Sequence, residues 1–375
     1  MKNSIVLNNK TLHIISFDIP YPANYGGVID VFYKIKSLKD EGFNIILHCF
    51  YKDRKPADIL ANLCREVHYY KREMNPYLTL VGKPFIVSSR KQPALFEIIT
   101  KDSHPVLFEG IHTTYFIRDF KKAGKKCFVR THNIEHRYYT ELAKAEKSLI
   151  RRGFFKLESR KLEKYESALK LADGLITISE QDDEYFSDLH SNTVFISPFH
   201  PEPEFDTRSK NEKYVFYHGN LEVSENLKAA KFLINEVMPG LGFQLVIAGK
   251  AASKLDSITK GKSVVLVDSP KDEEMLKWAS GATVHLLPTF QATGFKLKLI
   301  YSLYTAKVII ANSQMVDGTG LEHYAQVANS VSEWRQEITE TMNSPENLPI
   351  IERNKALKDQ VSNKSLSDKL IKFLR

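Results

Sequence analysis

The sequence predicts an α/β protein made of two Rossmann-like, doubly wound parallel-sheet domains in series. Three observations predict it. Short apolar runs alternate with longer one-sided stretches almost throughout, the pattern of strands buried on both faces and joined by crossover helices. The alternation breaks once, at PFHPEPEFDTRSKN (198–211), where three prolines in six residues precede a polar run, and then restarts. A chain of 375 residues is also too long for one ordinary core.

Taken in order, the first-half strands are expected at 11–17 (TLHIISF), 43–50 (FNIILHCF), 66–70, 105–109 (PVLFE), 126–131 (KCFVRT), 174–179 (GLITIS) and 193–197 (TVFIS). Between the first two, Val28, Val31, Phe32, Ile35 and Leu38 have the spacing of a helix with one apolar face, and Gly42 follows where a C-cap belongs. After the break come YVFYHGN (214–220), a helix near 225–237, FQLVIAG (243–249), SVVLVD (263–268) and a helix at 271–280. TVHLLP (283–288), a helix from about 296 to 305 and KVIIAN (307–312) complete the second series. The domains are therefore 1–197, a linker 198–211, 212–345, and a helical segment 346–375. Leu357, Val361, Leu366, Leu370 and Leu374 give that last segment an apolar stripe, so it is expected to pack back on the first domain.

Apolar residues are 43% of the chain and charged residues 26%, the balance of a soluble globular protein. Nothing approaches a run of about 18 apolar residues. The opening MKNSIVLNNKTLHIISF has no long apolar stretch or cleavage site, so a cytoplasmic location is expected. Cys49, Cys64 and Cys127 lack the spacing of a disulfide framework or zinc site and read as small buried thiols. The net charge of +8 is uneven: residues 1–197 hold 31 Lys+Arg against 24 Asp+Glu, and residues 198–375 hold 22 against 21. An anionic ligand or surface is expected at the first half; no basic-aromatic or DNA-reading pattern points to nucleic acid.

Four stretches carry chemistry. In DIPYPANYGGVIDVF, Gly26 and Gly27 stand at a strand-to-helix turn, where they either supply positive φ or let a phosphate approach backbone amides. GxGxxG is absent, so this is no dinucleotide fingerprint. In FVRTHNIEHRYY, His132 and Asn133 follow a strand's C-terminal end, where open parallel sheets bind ligands. His132 and His136 are four apart, but Glu135 does not complete HExxH, so no metal site is expected. Glu109 also ends a strand, with His112 nearby, and is a further candidate for the same region, a structural role being its ordinary reading. In LLPTFQATGFKLKLIYSL, Gly294 lies in a loop and Lys296 and Lys298 open a helix, where cations are disfavoured unless an anion intervenes. Finally, 144–170 holds nine Lys+Arg against four Glu with interleaved Leu149, Ile150, Phe154, Phe155, Leu157 and Leu162. It is either a solvated helix with its stripe in the core or a segment that rests on an anionic membrane surface.

PYPANYGGVIDVFYKIKSLKDEGFNIILH resembles the opening of the retaining glycosyltransferases of family 4. HGNLEVSENLKAAKFL resembles the start of their second domain, and TGFKLKLIYSLYTAKVIIAN their donor-site loop and helix. The resemblance covers roughly 11–330. It implies the GT-B fold, two such domains facing a cleft, and hexosyl transfer from a nucleotide-sugar donor to a glycan or lipid-linked acceptor in polysaccharide or glycoconjugate synthesis. It implies no further cofactor and no metal. Donor binding would fall to Gly26, Gly27, Gly219, Asn220, Gly294, Lys296, Lys298 and Tyr301, and catalysis to His132. The chain departs from the family where two acidic residues are usual: Tyr301 stands at the ribose-binding one, and Gln291 or Thr293 near the other. The usual basic phosphate ligands of the second domain are also replaced, by Glu222, Glu225 and Asn226. A non-catalytic binding partner of the same fold and a sugar-nucleotide epimerase are the alternatives.

Overall fold

Runs such as TLHIIS and ATVHLL form strands with every residue buried, because parallel strands covered by helices on both faces have no solvent side. The computed structural model describes residues 10–203, 212–290, 297–344 and 360–375. They fall into two units: the chain up to His200 with Asn363–Arg375, and the bulk of Pro201–Ser362.

In the first unit, β1 (Thr11–Ser16), β2 (Asn44–Tyr51), β3 (Glu66–Lys71), β4 (Val106–Glu109), β5 (Cys127–Arg130), β6 (Gly174–Thr177) and β7 (Thr193–Phe195) form one sheet. Its order is β3-β2-β1-β4-β5-β6-β7 and all pairs are parallel. The order reverses between β1 and β4, the switch point at which such sheets bind ligands. Helix α1 (Gly26–Asp40) buries Val28, Val31, Ile35 and Leu38 against the sheet, as its spacing predicts, and Gly42 follows it at φ +80°. Two antiparallel helices, α2 (Glu135–Ala145) and α3 (Leu149–Tyr165), connect β5 towards β6. Pro198–His200, at the head of the proline-rich stretch, is built into this unit, with Phe199 and His200 buried.

The second unit repeats the plan. β8 (Glu212–His218), β9 (Gln244–Gly249), β10 (Val264–Asp268), β11 (Ala282–Leu287), β12 (Val308–Ala311) and β13 (Gln326–Val327) form a parallel sheet of order β10-β9-β8-β11-β12-β13. The switch point lies between β8 and β11, which are followed by α4 (Ser224–Phe232) and α5 (Leu297–Thr305). In each unit apolar clusters cover both faces of the sheet.

The closing helix α6 (Asn363–Phe373) packs on the first unit, as expected from its stripe: Leu366, Leu370 and Leu374 join the core beneath α1. Polar contacts fix its register. The Ser37 hydroxyl donates to Asn363 O (2.9 Å), and Asn363 Nδ2 donates to His200 O (2.7 Å). Cys49 and Cys127 are buried and all three thiols are free.

Candidate active site

At the first unit's switch point, the C-terminal ends of β1, β4 and β5 deliver Phe17, Glu109, His112, His132 and Asn133 to one neighbourhood. Its centre is a group of buried charges. Asp30 and Lys34 lie one turn apart on α1, and Lys34 Nζ donates to Asp30 Oδ2 (3.1 Å) and to Glu109 Oε1 (2.7 Å). Arg130, the last residue of β5, grips Asp30 with two bonds, Nε to Oδ2 at 2.6 Å and an Nη to Oδ1 at 2.9 Å. It also donates to the carbonyls of Ile196 and Ser197. Phe199 N donates to Asp30 Oδ1 (2.8 Å). The other oxygen of Glu109, Oε2, lies 3.0 Å from His132 Nε2.

Two anions and two cations balance in this group, and each carboxylate oxygen has a donor, which is what lets charges survive burial. Burial alone would raise the Glu109 carboxyl, but Lys34 and the His132 hydrogen bond outweigh it and hold it below the usual range. Asp30 is likewise held well below, burial being outweighed by Arg130 and Lys34. An ionised Glu109 can only accept, so Nε2 of His132 carries a proton, and in the neutral ring Nδ1 then presents a lone pair. The result is an oriented imidazole whose other nitrogen can accept a hydrogen bond from a hydroxyl. Asp30, Glu109 and His132 also offer three ligand atoms within 4.8 Å of one another. Lys34 spans the two carboxylates, however, so a metal ion would have to displace a fully buried ammonium.

Phe17 organises the rest. Its ring packs edge-on against His132 (5.3 Å between centroids) and tilted against His112 (5.5 Å). A Cβ on Gly27 would come within 2.6 Å of Phe17 Cζ. Gly26 and Gly27 open α1 in ordinary helical backbone, so the positive-φ expectation is corrected: Gly27 must be small because a ring lies on it. Arg90, buried, ties the same loop down by donating to Phe17 O (2.8 Å) and Ile86 O (2.6 Å). His112 lies 3.8 Å from Glu135, which also accepts a long bond from Asn133 (3.5 Å), and His112 Nδ1 is buried without a partner. Burial, with Glu166 adding to it, pushes the Glu135 carboxyl up to about 7.

Asp30, Lys34 and Arg130 are absent from the sequence-derived candidates. The available signal was a charged pair four apart beside an apolar helix face, which ordinarily reads as a solvated ion pair.

The second unit gathers its candidates at its own switch point. Gly219 and Asn220 follow β8, and Asn220 Oδ1 accepts from Glu222 N (3.0 Å), a side-chain turn. Asn226 on α4 donates to Asn220 O (2.9 Å), and its amide lies against Gly219. Lys298 reaches over from α5 to donate to Asn226 Oδ1 (2.6 Å) and Tyr217 Oη (3.3 Å). At Gly249 (φ +146°) a Cβ would lie 2.0 Å from Gly219 O, so the loops after β8 and β9 touch through backbone alone. Glu225 accepts from the Thr289 hydroxyl (3.1 Å) at the end of β11. Tyr301 is half-buried, packs against the cluster of Tyr214, Phe216 and Val246, and sets its ring 5.0 Å from His218. Gly294 and Lys296 lie outside the described residues.

Two doubly wound parallel sheets of this order, with candidates at both switch points, define the fold of the GT-B glycosyltransferases. Solved structures with the same fold bear this out. Sucrose-phosphate synthase of Thermosynechococcus elongatus is 12% identical, with a TM-score of 0.70 over 96% of this chain and 97% of that one. Anabaena HepE in complex with UDP is also 12% identical, with a TM-score of 0.67 over 97% and 99%. A glycosyltransferase of Rickettsia africae gives 12% and 0.63 over 98% of each chain. In sequence, an uncharacterized 44.6 kDa protein in the cps region of Klebsiella pneumoniae is 27% identical over 340 residues, 84% of this chain and 86% of the relative. No protein-family model matches the chain.

Proposed function

We propose that this chain is a glycosyltransferase that moves a sugar from a nucleoside-diphosphate donor to a hydroxyl of a glycan or lipid-linked acceptor in polysaccharide synthesis, with retention of configuration. The observation that carries the proposal is the Glu109–His132 pair at the switch point of the first unit. A buried, ionised carboxylate fixes the imidazole so that Nδ1 accepts from a sugar hydroxyl and the ring orients the reacting sugar. In the second unit, Lys298, the Gly219–Asn220 loop and the amides opening α5 are suited to the departing diphosphate, whose charge grows as the glycosidic bond breaks. Neither a metal nor a cofactor enters this scheme. Two findings support it from outside the chain: HepE was crystallised with UDP and with UDP-glucose, and the Klebsiella relative lies in a cps region.

One observation favours a second reading, a binding partner without transferase activity. Glu225, an anion in the first turn of α4, occupies the region where basic phosphate ligands would be expected. A panel of nucleotide sugars tests both. A ligand at a hundred times its dissociation constant stabilises by about 2.7 kcal/mol, which thermal denaturation resolves. The transferase reading expects stabilisation by one nucleotide sugar, release of nucleotide on adding acceptor, and loss of that release in His132→Ala. Stabilisation with no turnover for any acceptor supports the binding partner, and no stabilisation by any nucleotide sugar defeats both.

A further inference from the structure

Helices α2 and α3 form a hairpin. Its base is fastened beside the strand end that carries His132: His136 Nδ1 meets Glu166 Oε1 at 2.7 Å, and the Ser159 hydroxyl donates to His136 O at 2.8 Å. The turn at 146–148 is the far end, about 16 Å away for the 11 residues of α2. Leu149 and Ile150 stand immediately after this turn, at 77% and 87% exposure. A helix that only covers a core has no reason to present two adjacent large aliphatic side chains at its exposed tip.

A second exposed apolar group lies against the same helix. The short turn Pro76–Leu80 exposes Tyr77 at 75% and Leu80 at 80%, with Val81 following at 46%. Lys161 on α3 donates to Thr79 O, Phe85 N donates to Glu158 Oε2 (2.5 Å), and the rings of Phe85 and Phe154 meet at 6.2 Å. Ile150 is one turn before Phe154 on that face. Of the thirteen large apolar side chains exposed among the described residues, seven lie in 74–81 and 149–157, so the exposure is concentrated.

The rim is cationic. Lys147, Arg151, Lys156 and Arg160 are exposed along the hairpin, and a groove of about 630 Å³ between its helices is lined by Lys144, Arg152, Lys156 and Arg160 with Glu163. Apolar tips flanked along the hairpin by lysine and arginine match an interface in which acyl chains lie beneath anionic headgroups. A protein surface would need its own carboxylates in the same arrangement; a bilayer has its phosphates everywhere.

We infer that the hairpin tip and the Pro76–Val81 segment dock this protein on an anionic lipid bilayer, with Leu149, Ile150, Tyr77 and Leu80 inserted among the headgroups. Docking would hold the His132 end of the first sheet near the membrane. The inference does not depend on the transferase reading, since it is read by binding alone.

The test is flotation of the full chain with phosphatidylcholine vesicles, with and without phosphatidylglycerol. Wild type should float only with the anionic vesicles, and added salt should weaken this. Leu149→Ser with Ile150→Ser should reduce the partition about tenfold or more, as buried apolar area is lost. Arg151→Gln, Lys156→Gln and Arg160→Gln should each cost about fivefold. All five side chains are exposed, so melting temperature and nucleotide binding should stay unchanged and separate this result from failure of the transferase reading. Equal flotation with both vesicle types, or full flotation of the Ser variant, would overturn the inference. So would a wild-type dimer in lipid-free solution that the Ser variant abolishes, because the patch would then be a protein interface.

Discussion

Glu109→Gln is the substitution that most directly interrogates the buried charge group. The amide is isosteric: its oxygen can still accept from Lys34 Nζ at the position of Oε1, and its nitrogen replaces Oε2 beside His132 Nε2. An amide nitrogen donates, so His132 must offer a lone pair at Nε2 and carry its proton on Nδ1. The nitrogen available to substrate changes from acceptor to donor while every heavy atom keeps its place. In stability, a charge-assisted hydrogen bond becomes a neutral one, about 1.5–3 against 0.5–1.5 kcal/mol, so the loss is about 1–2 kcal/mol. Lys34 keeps Asp30, which limits the damage. For a unit of this size that is a fall in melting temperature of roughly 2–8 °C. Transfer should fall by about 10²-fold, the cost of losing the contact that orients the reacting sugar. Turnover, thermal denaturation and nitrogen NMR of the histidine tautomers are the measurements. A tautomer that does not move refutes the assigned geometry of the pair. A tautomer that moves while turnover stays at the wild-type level refutes the use of Nδ1.

Three further outcomes are expected from the same structure. Gly27→Ala puts a methyl 2.6 Å from Phe17 Cζ and should cost about 1–3 kcal/mol, recovered in part by adding Phe17→Leu; equal denaturation midpoints for wild type and Gly27→Ala would remove the packing explanation. His48, His112 and His218 are held well below their ordinary range by burial, so they stay neutral in the fold but protonate in the unfolded chain below about pH 6.5. The unfolded state then binds more protons, so stability should fall as pH drops from 7 towards 5, by up to about 1.4 kcal/mol per pH unit for each group; Glu135, pushed up to about 7, opposes this with one proton. Urea midpoints flat or rising towards acid would contradict it. Tyr301→Phe keeps the packing against Tyr214 and Phe216 and removes only the hydroxyl, so it should weaken nucleotide binding by about 0.5–1.5 kcal/mol at unchanged melting temperature; unchanged affinity would exclude the phenol as a ribose ligand.

The strand-helix alternation was legible because it is a local property. Runs such as FNIILHCF and FQLVIAG can be hidden only in a parallel sheet covered on both faces, and the right-handed crossover rule then leaves few strand orders. The closing helix was legible for the same reason, since the stripe of Leu366, Leu370 and Leu374 needs a partner surface. The strand-end positions of His132, Glu109 and Gly219 could be read too, because ligands collect where strands of such sheets end.

Pairings at long range could not be read in this way. Lys34 looks like one more surface lysine of a helix until β4 brings Glu109, 75 residues on, within 2.7 Å of it. Gly27 looks like a turn glycine until Phe17 is seen lying on it. Leu149 and Ile150 satisfy the periodicity of a core-facing stripe, yet the hairpin carries them out to its tip. Periodicity states which side chains share a face of one element. Whether that face meets a core, a buried carboxylate or the outside is decided by elements distant in sequence, because burial and electrostatic balance are properties of the whole packed neighbourhood.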